Sequence, residues 1–302
     1  MPNVMRLCLE VWGTDYDKIK ETCILAEKLG YYGFYYGESL ADIDLDCWTV
    51  LSSLASVTSR IKLGPVITYL FPQYRNIVLL AKQALTFQEL SKGRLEFRTG
   101  AGAKLQYATQ WWYPYGIEYP KEKERVLILD EGLQVLKMLW SKSTVYFDGN
   151  FFKINGATLH KPGKYLIPVT ISAKRKKMMS IAARFADIWE ASYLSPKQFL
   201  KLNSDFDAIS KQVNRSVLLK SIELDVIVAE SDSDLKYKEK IFAMERGPSV
   251  YNQILANGLV GTTDRVAERI REYTDAGVEQ FFLAFQDPFD SKALDVFINA
   301  VK

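Results

Sequence analysis

Short apolar segments and helical segments alternate along most of the chain. Arg6–Val11 is an apolar run, and residues 16–29 place apolar side chains at helical spacing. Gly30 follows directly, as is typical of a glycine that ends a helix. Seven further apolar runs occur at 32–36, 61–68, 94–99, 167–172, 186–191, 219–228 and 280–285. Helical periodicity follows most of these runs, so the pattern predicts eight strand–helix repeats.

Strands that are apolar on both faces are typical of parallel strands covered by helices. Eight such repeats predict an α/β fold, a closed (β/α)8 TIM barrel, that spans residues 1–302 as one domain. An open doubly wound sheet normally carries a Gly-x-Gly-x-x-Gly turn after its first strand, whereas residues 10–15 of this chain do not fit that pattern. Three segments are predicted to be loop excursions of the barrel, the second with a hairpin: 100–120, 141–165 and 231–258.

The composition is that of an ordinary globular protein, with 48% hydrophobic and 25% charged residues. A net charge of +3 is too small to indicate a nucleic-acid partner. The three cysteines lack a CxxC pair, so a reducing cytoplasm is favoured over a disulfide framework or a zinc ribbon. The first residues do not resemble a signal peptide, and no uncharged run of about 18 apolar residues occurs. We therefore expect neither export nor a membrane anchor.

His160 is the only histidine in the sequence. It excludes a multi-histidine metal site and leaves few routes to a Ser-His-Asp triad. No metal site is therefore predicted, and hydrolase chemistry is disfavoured. His160 follows the predicted hairpin rather than the end of a barrel strand, so we interpret it as a structural residue.

In a barrel of this type, the active site lies at the carboxyl ends of the strands. The residues that close the predicted strands are therefore candidates: Glu10, Trp12, Glu38, Ser39, Thr68, Gly100–Lys104, Ser172–Lys174, Glu190 and Gln286. Each of them is also a plausible turn former or helix cap. The two glycines of Gly100-Ala101-Gly102 would let the backbone approach a flat or anionic ligand, and a tight turn is the alternative.

The segment Ser172-Ala173-Lys174-Arg175 leads from the fifth strand into a helix that continues with two more lysines. Free amides and the positive end of the helix dipole favour a phosphate at such a position. Cations in a first turn oppose the dipole by roughly a few tenths of a kcal/mol each, and a bound anion would offset that. A solvated basic face is the alternative. The aromatic residues between 107 and 115 are candidates for covering a planar ligand or for a subunit contact.

A series of short segments, in a fixed order along the chain, carries a resemblance to a known family. These segments are Ala26–Gly30, Cys47–Leu51, Val57–Gly64, Leu90–Glu96, Ala182–Trp189 and Val260–Asp264. Together they resemble the bacterial luciferase-like family of flavin- and deazaflavin-dependent oxidoreductases, over almost the whole chain. The resemblance implies a (β/α)8 barrel, a cofactor that is either the deazaflavin F-420 (F420) or FMN, a small-molecule substrate, and a homodimer.

The resemblance also implies where the cofactor lies. Val66, Ile67 and Thr68 at the end of the third strand would hold the ring, with a non-proline cis peptide bond between Val66 and Ile67. The turn Gly100-Ala101-Gly102 matches the segment beside the cofactor tail. The turn Ser172-Ala173-Lys174, followed by Arg175, matches the phosphate-binding turn.

The protonating groups that relatives usually carry are absent from this chain. Relatives commonly have Asp-His at the end of the second strand, where this chain has Glu38-Ser39, and deazaflavin-dependent relatives often have a glutamate in place of Ala103. Hydride transfer needs little beyond correct placement of the cofactor, but a proton donor would assist reduction of a carbon–carbon or imine bond. Glu38 with Ser39 is the nearest replacement, and Glu10 and Glu190 follow.

The leading interpretation is a cytoplasmic oxidoreductase that transfers a hydride between F420 or FMN and a small organic substrate. Residues 64–68 and the loop from Gly100 resemble the methylenetetrahydromethanopterin reductase branch, which favours the deazaflavin. One alternative is an FMNH2-dependent luciferase-like monooxygenase. Others are a non-catalytic flavin-binding barrel and an enzyme that binds a phosphorylated substrate at residues 172–177. Neither nucleic acid nor a membrane is expected as a partner.

Overall fold

The computed structural model describes residues 5–160, 165–215 and 218–302, with the side chains of 107–109 left out. The first half alternates strands and helices: β1 (Arg6–Val11), α1 (Tyr16–Leu29), β2 (Gly33–Gly37), α2 (Cys47–Val57), β3 (Lys62–Val66), α3 (Ile77–Leu90) and β4 (Phe97–Thr99). A longer excursion follows: α4 (Leu105–Trp111), a 3-10 turn (Tyr113–Tyr115), α5 (Glu122–Ser141), and the hairpin of β5 (Val145–Asp148) and β6 (Lys153–Ala157).

The second half resumes the alternation of strands and helices. Its elements are β7 (Val169–Ser172), α6 (Lys176–Phe185), β8 (Ile188–Ser192), α7 (Pro196–Gln212), β9 (Leu219–Ala229), α8 (Asp232–Arg246), α9 (Pro248–Asn257), β10 (Leu259–Thr262), α10 (Thr263–Asp275), β11 (Gln280–Phe285) and α11 (Ser291–Val301). No helix in the described part of the chain combines the length and apolar character needed to cross a membrane.

Eight parallel strands of the described residues form a closed barrel. Their order is β3-β2-β1-β11-β9-β8-β7-β4, and β10 pairs with β9 outside the ring. The ring closes between β3 and β4, where the Leu63 amide donates to the Arg94 carbonyl and the Thr68 amide donates to the Arg98 carbonyl, both at 2.9 Å. The predicted TIM-barrel fold is confirmed.

The helices begin and end where local chemistry predicts. Asp15, Asp46 and Asn76 accept backbone N–H groups at the starts of α1, α2 and α3. Gly30 ends α1 with φ 88°, a left-handed conformation that glycine adopts without steric penalty. These caps fix the lengths of the helices and so the positions at which the chain re-enters the barrel.

The two faces of the barrel strands have different partners. Leu7, Leu9 and Val11 on β1 belong to the large apolar core shared with the surrounding helices. Facing the barrel interior, Cys8 packs in a small separate cluster, and Glu10 is also buried there. The outer faces therefore follow the predicted apolar pattern, whereas the interior is more polar than that pattern indicates.

Two of the predicted loop excursions contain helices. Residues 231–258 form α8 and α9, and residues 100–120 include α4. The helix α8 was missed because its apolar stripe is thin: Leu235 and Phe242 are its buried residues, and they pack in a small cluster with Ile254. Its start is nevertheless encoded locally, since Ser231 accepts the amide of Asp234.

Candidate active site

The three segments predicted to hold a cofactor meet at one point of the barrel mouth. Gly100, directly after β4, faces the ends of β3 and β7: a Cβ built on it would lie 3.2 Å from Ile67 Cδ1 and 3.7 Å from Ser172 Cβ. The peptide bond between Val66 and Ile67 is cis, as the resemblance implies. Gly100 therefore presents backbone without a side chain where the three strands end, and a side chain there would crowd Ile67.

The second glycine of the turn, Gly102, serves the packing of the loop itself. Its φ is 86°, and a Cβ on it would lie 2.5 Å from the Tyr119 hydroxyl oxygen and 3.2 Å from the Phe71 ring. The Tyr119 hydroxyl donates to the carbonyl of Ala103 at 2.8 Å. The alternative of a tight turn thus accounts for Gly102, whereas the close approach of Gly100 to a ligand stays a prediction.

Trp112 anchors the aromatic loop instead of covering the mouth. It is 1% exposed and contacts Tyr69 and Tyr74 edge-on, with ring centroids 4.9 and 4.8 Å apart. Tyr113 and Tyr115 are exposed. The side chain of Tyr107 lies outside the described residues. Trp112 is therefore a core residue of the loop, and the exposed tyrosines keep the two roles proposed for them.

The predicted phosphate turn precedes α6, but several of its groups already have partners. The Ala173 amide donates to the Glu190 carbonyl at 2.9 Å, within the barrel. The Lys174 ammonium donates to the Ser192 carbonyl at 3.0 Å, and Arg175 forms an exposed ion pair with Glu122. Arg175 is the residue that precedes α6, and its side chain makes no hydrogen bond to the backbone amides at the start of that helix. An anion at this turn would therefore bind chiefly to the first-turn amides of α6.

Glu38 lies beside the cis peptide bond and is held by polar neighbours. Its amide donates to the Val66 carbonyl at 3.0 Å. One carboxylate oxygen pairs with Arg75 at 2.6 Å, and the other accepts a hydrogen bond from the Thr68 hydroxyl. Burial raises the pKa of Glu38, and the Arg75 charge opposes that rise. The adjacent Ser39 donates its hydroxyl to Asp44 at 2.9 Å.

The barrel interior contains a charged group that the sequence analysis did not assemble. Arg98 of β4 is fully buried, and its guanidinium contacts the carboxylates of Glu10, Glu190 and Glu223. Its NH2 group lies 2.9 Å from Glu223, and its Cζ lies 4.1 Å over the Phe282 ring. We call Arg98, Glu10, Glu190 and Glu223 the Arg98 cluster. Burial raises the pKa of Glu10 well above its usual range, although Arg98 opposes the rise.

One edge of the Arg98 cluster opens toward the barrel mouth. The side chain of Glu223 is 15% exposed, whereas those of Glu10 and Glu190 are 0% exposed. The Tyr193 hydroxyl donates to Glu223 at 2.5 Å. Partial burial of the ammonium lowers the pKa of Lys174, and the nearby carboxylate of Glu223 opposes this. Burial raises the pKa of Asp225, on the same strand, to about 6.

The sequence contains a pattern from which part of this cluster could have been predicted. Glu96 and Arg98 alternate with Leu95 and Phe97 on one strand, so both charges must point to the same face. In a strand packed against helices by its apolar residues, that face is the barrel interior. Glu10 and Glu190 were selected because they close strands, but their common partner Arg98 was not.

The fold and this mouth define a class: a (β/α)8 barrel whose candidate site lies at the carboxyl ends of its strands. The family model described as luciferase-like monooxygenase matches residues 9–238, and the chain belongs to that family.

Two curated relatives show the range of proteins to which the chain is similar. It is 33% identical over 162 residues to a 5,10-methylenetetrahydromethanopterin reductase of Archaeoglobus fulgidus, covering 53% of this chain and 45% of that protein. It is 26% identical over 233 residues to the pyrimidine monooxygenase RutA of Agrobacterium fabrum, covering 72% and 62%. The chain thus matches about half of the length of these relatives.

A solved structure is similar to the chain along its whole length. It is an F420-dependent secondary alcohol dehydrogenase in complex with an F420-acetone adduct, with a TM-score of 0.86 and 17% identity over 99% of both chains. At this identity the likeness shows the fold.

Proposed function

We propose that the chain is an oxidoreductase that transfers a hydride between F420 or FMN and a small organic substrate at the barrel mouth. The observation that carries this proposal is the meeting of the β3, β4 and β7 ends around Gly100, which presents backbone without a side chain next to Ile67 and Ser172. A flat ring needs such a side-chain-free surface, and an anionic tail needs free amides. The uncapped start of α6 meets the second requirement.

The residues proposed to hold the cofactor fall into two groups. Those facing the ring and the start of its tail are Val66, Ile67, Thr68, Gly100, Ala101 and Gly102. Those at the phosphate end are Ser172, Ala173, Lys174 and Arg175, of which the backbone leading into α6 would make the main contact. When bound, F420 or FMN supplies the site with a group that accepts or donates a hydride.

The chain's own residues would position the substrate and donate or accept a proton. Glu38 stands beside Val66 in the proposed ring site, and burial favours its neutral form, so it is a candidate acid. Ser39 is proposed to orient this strand end through Asp44. Glu10 is proposed as a further proton donor, deeper in the barrel and in contact with Arg98.

The names of similar proteins support redox chemistry and favour F420 over FMN by a small margin. An F420-dependent dehydrogenase shares the fold, and a methylenetetrahydromethanopterin reductase shares part of the sequence. The family model and the similar pyrimidine monooxygenase favour an FMNH2-dependent monooxygenase as the second candidate. These similar proteins are named as enzymes, so nothing among them supports the non-catalytic barrel.

We also propose the finer assignments that accompany this function. They are a single luciferase-like domain over residues 1–302, a homodimer, a cytoplasmic location, and the absence of nucleic-acid or membrane partners. The small net charge of +3 supports the last of these.

The decisive experiment is an absorbance and fluorescence titration of the protein with F420 and with FMN. We expect saturable binding of one of them, and at least about tenfold weaker binding by Gly100→Val, whose side chain would crowd Ile67 and cover the backbone at this point. Ala256→Val, on the exposed surface of α9, is the matched control and should bind as the parent does. Absence of binding by the parent protein, or equal binding by Gly100→Val with unchanged stability, would refute the proposal.

A further inference from the structure

The wall of the barrel opposite the proposed cofactor site contains a carboxylate without a partner. Asp225 lies on β9 and is partly exposed, and its carboxylate makes no hydrogen bond or ion pair with a described residue. Burial raises the pKa of Asp225 to about 6, the charge of Glu223 adds to the rise, and Arg246 opposes it. An unpaired carboxylate at the open end of a barrel is a position where a ligand can supply the missing positive charge.

The strand register places a second acidic residue beside Asp225. Ala284 of β11 pairs with Asp225 on β9 and with Glu10 on β1, and all three side chains face the barrel interior. Their outward-facing neighbours belong to the apolar core: Leu9, Leu224 and Leu283. Because neighbouring strands are about 4.8 Å apart, the two acidic residues flank Ala284 in one row. The single methyl group of Ala284 is the side chain that β11 contributes between them.

Glu10 contributes an oxygen that also has no partner. Its Oε1 contacts Arg98, whereas Oε2 is buried and makes no hydrogen bond with a described residue. The side chain is 0% exposed, and burial raises the pKa of Glu10 well above its usual range. An acceptor in that position has lost its hydration without compensation. A cationic donor from a ligand would give this oxygen a partner and would favour the ionised carboxylate.

The carboxylates on this wall converge near Tyr193. Its hydroxyl donates to Glu223 at 2.5 Å. Burial raises the pKa of Tyr193 well above its usual range, and the charges of Glu223, Asp225 and Glu10 raise it further. Three carboxylates from two strands therefore lie within electrostatic range of one hydroxyl group at the barrel mouth.

The positive groups near these carboxylates are engaged elsewhere. Arg98 is shared among the three glutamates of the Arg98 cluster. The Lys174 ammonium donates to the Ser192 carbonyl rather than to a carboxylate. Arg246, the cation that acts on Asp225, is exposed on α8 and forms no ion pair with it. This wall of the mouth therefore carries excess negative charge, which attracts a cation.

We propose that Asp225 and Glu10 Oε2 form a subsite for a protonated nitrogen of the substrate, so that the substrate class is small organic cations. This inference rests on the proposed function, because it names the substrate of that hydride transfer. The ring of strands places β11 directly across the barrel from β4. A substrate whose ammonium group is held beside Ala284 therefore extends toward the cofactor site around Gly100.

Binding is tested by NMR titration of the folded chain without cofactor. The probes are 1-aminopropan-2-ol, an ammonium ion at neutral pH, and butan-2-ol, its neutral isostere. We expect the parent protein to bind the ammonium compound at least about tenfold more tightly, and Asp225→Asn to lose most of this preference. Asp205→Asn, on the exposed surface of α7, makes the same change of charge and should keep the preference. Equal binding of the two probes by the parent, or an unchanged preference in Asp225→Asn, would overturn the proposal.

Ala284→Leu tests the position of the subsite without changing any charge. The leucine side chain would extend between Asp225 and Glu10, so binding of the ammonium compound should weaken at least about tenfold. If the net negative charge of the wall acted only at long range, Ala284→Leu would bind as the parent does, and salt would abolish binding in both. That result would contradict a defined subsite, and Asp225→Asn decides the question if Ala284→Leu does not fold.

Turnover of the same two alcohols with oxidised F420 and FMN separates this inference from the proposed function. The ratio of kcat/KM for 1-aminopropan-2-ol to that for butan-2-ol should fall about tenfold in Asp225→Asn, through KM, and should stay unchanged in Asp205→Asn. Equal ratios in the parent and Asp225→Asn would remove the subsite and leave the oxidoreductase in place. A parent protein that binds neither cofactor would refute the proposed function instead, while the NMR titration still decides whether the subsite exists.

Discussion

The two sides of the barrel mouth neutralise their buried carboxylates in different ways. Beside β2 and β3, Glu38 has its own arginine, Arg75, at 2.6 Å, and a hydroxyl donor in Thr68. In the interior between β1, β4, β8 and β9, the single guanidinium of Arg98 contacts three glutamates. The first arrangement pairs one carboxylate with one guanidinium, whereas the second has more carboxylates than positive groups in contact with them.

This difference bears on which side performs proton transfer. Burial raises the pKa of Glu38, but the charge of Arg75 opposes that rise, so the ionised form is disfavoured less than it would be without the arginine. A group of carboxylates that shares too little positive charge binds a proton near neutral pH. Of the two sides, the Arg98 cluster is therefore the one whose charges favour a bound proton more strongly.

Replacing Arg98 with methionine should have the largest effect on stability. The change leaves three buried carboxylates without their counter-charge, and breaking a buried ion pair in this way typically costs about 3–5 kcal/mol. Urea unfolding at about pH 7 measures the loss. The deficit should shrink in acid, since the carboxylates then bind protons.

The loss of stability in Arg98→Met should be compared with the loss in Arg75→Met. It removes the partner of one carboxylate at a site where the arginine side chain is 12% exposed, so we expect a loss of about 1–3 kcal/mol. Equal losses for Arg75→Met and Arg98→Met would contradict the view that the two sides differ in charge balance.

The pH dependence of stability should separate Glu10 from an ordinary carboxylate. Burial raises the pKa of Glu10 in the folded state, so its contribution to the free energy of unfolding is fully present below its unfolded-state pKa of about 4.5 and is lost as pH rises through the folded value. Glu10→Gln should flatten this decline between about pH 5 and about pH 8. Denaturant unfolding across that range measures the effect.

For Glu27, we expect the opposite dependence of the free energy of unfolding on pH. Its pKa is lowered to about 2, so its contribution is present above its unfolded-state value and is lost as pH falls toward about 2. Glu27→Gln should therefore weaken the protein at neutral pH by about 1 kcal/mol, since solvent screens this surface site. A Glu10→Gln variant that follows the Glu27→Gln profile would show that Glu10 is ionised in the folded protein.

The sequence predicted the fold because the fold depends on local and repeated features. Eight apolar runs, and caps such as Asp15 and Gly30, each act within a few residues, so they can be read without knowing the tertiary structure. The helix α8 was missed because it lacks such a repeated local feature. With Leu235 and Phe242 as its buried residues, its sequence shows no broad apolar stripe.

The site was only partly predictable, because side-chain partners come from distant parts of the chain. The segments around Val66, Gly100 and Ser172 were selected individually, and the closure of the barrel brings them together. Glu10 was chosen as a strand end, but its partner Arg98 is 88 residues away and Glu223 is a further 125 residues along. Spacing along the chain carries no information about such contacts, although alternation within β4 identifies Arg98 as inward-facing.

The smallest expected effects distinguish the two cations of the predicted phosphate turn. Lys174 stands between that turn and the acidic side of the mouth, so Lys174→Glu should weaken binding of F420 or FMN by about tenfold through repulsion of its phosphate. Arg175 already pairs with Glu122 at an exposed site, where ion pairs contribute little, and Arg175→Glu should weaken binding only about twofold to threefold. The same absorbance titration measures both, at low and at high salt, because screening should reduce the Arg175 effect most. If Arg175→Glu has the larger effect, the phosphate lies on the outer surface of the turn, away from the Arg98 cluster, and the cofactor placement proposed above is wrong.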